Sequence, residues 1–100
     1  MPRVPVITND HILKAIKRSP RRVYVVRDTM YLTYDGQGTI SVNSYAATIA
    51  TLNVRVGDVV GATINEGWHG YSLTTSRHLR GVHNFIESHG IPTTVTQSRS

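Results

Sequence analysis

The stretch MYLTYDGQGTISVN, residues 30–43, decides the fold class. Met30, Leu32 and Tyr34, then Ile40 and Val42, fall on one side of a period-two alternation, with Thr33, Ser41 and Asn43 on the other. Alternation on both sides of Asp35-Gly36 predicts a β-hairpin with one face turned to a core and one to water.

Working outward, residues 23–73 are rich in β-branched and aromatic side chains, are punctuated by glycine, and show no sustained helical period. Strands are predicted near Val23–Arg27, Met30–Tyr34, Thr39–Asn43, Tyr45–Val54, Asp58–Ile64 and Tyr71–Leu73. Turns fall at Asp35-Gly36, Val56-Gly57-Asp58 and Glu66-Gly67. This reads as an antiparallel meander of five to six strands.

Helices are predicted on either side. The first runs from about Asn9 to Arg18, with Thr8 as cap, Asp10 in the first turn, and Ile7 and Ile12 at the two positions of a hydrophobic staple. Ser19-Pro20 ends it, because proline disfavours helical geometry in the residue before it. The second runs from about Ser76 to His89 and stops at Gly90 before Ile91-Pro92. Its stripe Leu79, Val82, Phe85 and Ile86 is expected to dock on the apolar face of the sheet, leaving Arg77, Arg80, Asn84 and Glu87 outward. The expected architecture is therefore α+β, a single domain over residues 1–92. Residues 93–100, rich in Thr and Ser, are expected to be a flexible tail.

A chain of 100 residues with 39% hydrophobic and 17% charged residues can bury one modest core. No apolar run reaches the roughly 18 residues of a membrane helix, and the N-terminus lacks the apolar stretch of a signal peptide. No membrane partner and a cytoplasmic location are expected. There is no cysteine, which excludes disulfides, thiolate metal sites and a cysteine nucleophile.

Positive charge is concentrated at one end. Residues 1–27 hold Arg3, Lys14, Lys17, Arg18, Arg21, Arg22 and Arg27 against Asp10, a balance of +6, while the other 73 residues carry −1 of the net +5. Lys14, Lys17 and Arg18 share a helix side at i, i+3, i+4 spacing, and Arg21 and Arg22 extend it past the proline. Five cations in nine residues can meet several phosphates at once, so DNA or RNA is the expected partner, with Arg27, Arg77 and Arg80 as secondary contacts. An acidic protein surface is the alternative, and a merely solubilising face would mix both signs.

The aromatic residues add partner-contact candidates. Tyr24 lies between Arg22 and Arg27, and sharing a face with Tyr31 would make a base-stacking platform; core packing is the other reading. Trp68, in Glu66-Gly67-Trp68-His69-Gly70, would be exposed at a hairpin tip unless the loop folds back to cap the core. The glycine-aromatic pattern of an RNA-recognition motif is absent.

Other chemistry finds little support. His78, His83 and His89 are five and six residues apart, which on a helix turns neighbours away from one another by roughly 140° and 120°, so they do not form a metal site. Residues 71–79 are dense in hydroxyls beside His78, but Gly-x-Ser-x-Gly is missing, and strand end, cap and first helical turn account for them. Such a helix start, with Arg77 adjacent, can also hold a phosphate. No catalytic residues, metal or cofactors are expected, and an enzyme is not.

Tyr45-Ala46-Ala47-Thr48-Ile49-Ala50, followed by Tyr71-Ser72-Leu73-Thr74-Thr75-Ser76-Arg77-His78-Leu79, resembles a small domain of unknown function found in bacteriophage proteins. That domain pairs a Tyr-x-x-Thr-x-Ile-Ala strand with a Tyr-Ser-x-Thr-Thr-Ser-Lys/Arg-His helix start. The resemblance covers about residues 45–86, leaves the basic N-terminal region outside, and implies a phage origin without assigning any residue a role. A phage origin implies the host cytoplasm. Small phage proteins often bind DNA or disable a host enzyme, so the expected function is electrostatic, low-specificity nucleic-acid binding. The alternative is an interaction module or inhibitor on an acidic host or phage protein. The oligomeric state is not legible.

Overall fold

The structure is a computed structural model that describes residues 7–18, 22–27, 30–44, 47–66 and 77–97. The order is helix α1 (Asn9–Arg18), strands β1 (Val23–Arg27), β2 (Met30–Tyr34), β3 (Thr39–Ser44), β4 (Ala47–Arg55) and β5 (Asp58–Glu66), helix α2 (Arg77–His89) and strand β6 (Thr93–Gln97). The six strands form one sheet in sequence order, so the protein is α+β.

Strands β1 to β5 pair antiparallel with their neighbours. Register explains the alternation at residues 30–43: Leu32 faces Val42 and Val42 faces Ala50, which in turn faces Ile64. All four are fully buried, together with Met30, Ile40 and Leu52. The other face carries a row of hydroxyls, Thr33, Ser41, Thr51, Thr63 and Thr94, one from each of β2 to β6. These residues are half-buried or exposed. Asn43 ties this face together, donating from Nδ2 to Thr33 Oγ1 at 3.3 Å and accepting from Thr48 Oγ1 at 2.9 Å.

Two expectations are corrected. The sheet is mixed, because β6 runs parallel to β5. The expected flexible tail is largely that strand: Thr93–Gln97 pairs residue by residue with Ala62–Glu66, while residues 98–100 lie outside the described residues. Polar composition misled here, since threonine and valine favour strands however polar their run. A parallel neighbour needs a crossover of a dozen or more residues, and α2 supplies it. The end of α2 sets the return: Gly90, at φ 61°, donates to Glu87 O at 3.3 Å and Ile91 donates to Ile86 O at 3.1 Å. That pair of bonds is the Schellman closure of a helix.

The hydrophobic core is one cluster. Ile7, Ile12 and Ala15 join it from the N-terminal side, and Val82, Phe85 and Ile86 of α2 belong to the same cluster as Leu52 and Ile64. The expected strand at Tyr71–Leu73 and the turn at Glu66-Gly67 fall wholly or partly outside the described residues.

Candidate nucleic-acid interface

Helix α1 is held by its first turn. Thr8 Oγ1 accepts the His11 N–H at 3.2 Å, and His11 Nδ1 accepts the Thr8 N–H at 3.1 Å. This is a capping box with histidine in the place usually taken by Glu or Gln. Ile7 and Ile12, the expected staple, are both buried. With Ile12 and Ala15 inward, helical geometry turns Lys14, Lys17 and Arg18 away from the core, and all three are exposed.

Their situations differ. Lys14 Nζ lies 3.1 Å from Asp10 Oδ2 one turn earlier, and that hydrogen bond and charge raise the lysine pKa above its ordinary value. Part of the Lys14 charge is thereby offset within the helix. Arg18 donates from Nη1 to Val23 O at 3.4 Å and sets its guanidinium 5.5 Å from the Tyr24 ring centre. A guanidinium at that distance is attracted by the ring face and is held at the junction of α1 and β1. Lys17 and Arg22 are exposed and have no acidic partner among the described residues.

His11 links cap and surface. Its ring is 6.0 Å from that of Tyr24, so Tyr24 lies between His11 and Arg18. Burial lowers the His11 pKa below its ordinary value, with Asp10 opposing and Lys14 assisting. The neutral ring is the form able to accept the Thr8 N–H at Nδ1.

The stacking platform that a shared face for Tyr24 and Tyr31 would make does not form. Tyr24 pairs with Leu32, on the core face, whereas Tyr31 pairs with Val25 on the other. Residues directly opposite in a ladder share a face, so the two rings point to opposite sides of the sheet. Tyr24 packs against the core, and Tyr31 is half-buried beside the exposed Val25.

Arg80 is exposed on α2, where His83 Nε2 lies 3.2 Å from Glu87 Oε1, so that helix carries an acid as well as a base. No described hydrogen bond or ion pair joins Arg80 to α1. Arg21 and Trp68 lie outside the described residues, as do the side chains of Arg27 and Arg77. Among the described residues no group of three or more His, Cys, Asp or Glu is placed to hold a metal ion, and no helix is long and apolar enough to cross a membrane.

Two features near this surface carry no charge and escape a reading of charge alone. Val56, at the β4–β5 turn, is 97% exposed with φ 52°, a left-handed conformation that valine rarely adopts. Leu13 is 48% exposed, and its Cδ2 would stand 3.7 Å from a Cβ at the neighbouring Gly57. The signal in the sequence was valine in the slot of a two-residue turn where asparagine is usual.

Compared with known proteins, the chain matches no protein family, no curated protein and no solved structure.

Proposed function

We propose that the chain is a small phage-type nucleic-acid-binding protein that meets the phosphate backbone with the outward side of α1 and the start of β1. The observation that carries this reading is exposed Lys17 and Arg18 at the end of a helix whose opposite side is buried, with exposed Arg22 just before β1, none of them opposed by a described acid. Arg18 is pre-positioned by Val23 O and Tyr24, so it loses little further freedom on meeting a phosphate. Lys14 contributes less, being shared with Asp10. Arg21, Arg27, Arg77 and Arg80 extend the field. Helix α2 docks on the sheet face that carries Leu52 and Ile64 and serves as scaffold. Contact to phosphate alone carries little sequence preference. A mobility-shift titration on DNA and RNA at low and moderate salt tests the reading. Binding that weakens steeply with salt is expected, and no binding at low salt would sink it.

A protein partner with an acidic surface is the second reading, favoured by Val56 and Leu13. An apolar side chain almost wholly in water and held in a strained conformation suits a contact residue better than a solubilising one. Affinity capture after nuclease treatment separates the readings: a protein partner survives the nuclease, and a nucleic-acid bridge does not.

A further inference from the structure

Strand β6 is the last of the sheet, and among the described residues nothing pairs with its far side. Proteins usually guard such an edge with lysine, proline, a bulge or a cover. Strand β1, the opposite edge, is guarded: Arg22 precedes it, Arg27 ends it, and its register shifts between Val25 and Arg27. Strand β6 has no guard among the described residues. Thr93, Thr94, Val95, Thr96 and Gln97 include no charge and no proline, and the register with β5 is unbroken.

The ladder fixes which groups point outward. Ala62 donates to Pro92 O at 3.0 Å, and Ala62 and Ile64 are opposite Thr93 and Val95. In a parallel ladder the strand bonds to its neighbour through every second residue, here 92, 94 and 96. Thr93, Val95 and Gln97 therefore direct N–H and C=O away from the sheet.

We infer that β6 is a homodimerisation edge, pairing antiparallel with β6 of a second copy about a two-fold axis at Val95. That register is self-complementary. Val95 exchanges both its backbone bonds with Val95 of the partner copy, and Thr93 does so with Gln97 of the partner copy. Three things favour a second copy over another occupant. The edge is uncharged, so like copies of a chain of net charge +5 meet without repulsion at the seam. Val95 is 46% exposed on the face it shares with buried Ile64, and a hollow of about 390 Å³ opens there among Ile64, Ile86, Ile91 and Val95, with His83 and Glu87 of α2 also in its lining. A partner's Val95 arrives beside that hollow. Finally, β1 lies five strand spacings away, about 24 Å, so the basic helices stand at the outer ends of the joined sheet.

This inference does not depend on what the basic surface binds. Sedimentation equilibrium of the full chain, up to millimolar concentration, should give a mass near twice 11.1 kDa. Val95→Pro removes only an outward N–H, as proline at a sheet edge can, and should give a monomer with unchanged circular dichroism. Should that variant fail to fold, Val95→Cys decides. The chain has no other cysteine, and opposed residues in such a pair have Cα atoms about 5.5 Å apart, within disulfide reach. Oxidation should then cross-link Val95→Cys much faster than a Leu13→Cys control. A wild-type monomer at every concentration, a Val95→Pro dimer as tight as wild type, or equal cross-linking rates would each overturn the proposal.

Discussion

At Val56 a side chain and its backbone are at odds. A β-branched residue at φ 52°, followed by Gly57 at φ 81°, occupies the first slot of a two-residue hairpin turn that asparagine fills with less strain. Val56→Asn should stabilise the protein by about 1 kcal/mol, read by urea unfolding, and should leave nucleic-acid affinity unchanged; a weaker affinity would make Val56 a contact residue. His11 is the second residue with a readable consequence. Its pKa is lowered in the folded state, so its contribution is complete above its ordinary value, about 6.5, and is lost as pH falls through the folded value. His11→Gln keeps a side chain that can accept the Thr8 N–H and does not titrate. Stability of the wild type should decline as pH falls below about 6.5, with a shallower decline in the variant. Equal declines would remove His11 from the account. Neither residue shows in hydropathy or charge: Val56 is marked only by standing in a turn slot where asparagine is usual, and histidine is not the usual partner in a capping box.

Among the elements, those governed by local chemistry were legible and those governed by distant partners were not. Helix α1 matches its caps and staple, and β1 and β2 fall where alternation places them. The Asp35 turn is set by its own side chain, whose Oδ1 accepts from the N–H groups of Gln37 and Thr39 at 2.7 and 3.0 Å; those bonds hold the carboxyl below its ordinary pKa. Strand β6 was missed because its partner lies some 30 residues earlier and its polar run has no apolar period. Gly38 shows how tightly the turn is joined to β4. It sits at φ 103°, its carbonyl accepts the Val54 N–H at 2.7 Å, and an added Cβ would meet Val54 O at 3.1 Å. Gly38→Ala should cost about 1–3 kcal/mol by the same unfolding measurement, whereas a neutral result would mean that the turn can shift without loss.

For the whole molecule, the uneven charge visible in the sequence becomes a difference between the two ends of one sheet. The basic helix lies against β1 and β2, and the uncharged edge lies at β6. The cluster legible in the sequence as five cations resolves into unequal members. Lys14 is tied to Asp10, Arg18 to the α1–β1 junction, Lys17 and Arg22 have no ion pair with a described acid, and Arg21 lies outside the described residues. Spacing alone could not show this, since the partner of Arg18 comes from the next element. The central claim is that these side chains meet phosphates, and the salt dependence of duplex binding tests it most directly. Fluorescence anisotropy of a labelled oligonucleotide should show log K falling linearly with log salt for the wild type. Replacing Lys17, Arg18 and Arg22 by alanine together should make that slope shallower by about 2.7, at roughly 0.9 for each phosphate no longer neutralised. An unchanged slope and affinity in the triple variant would contradict the account.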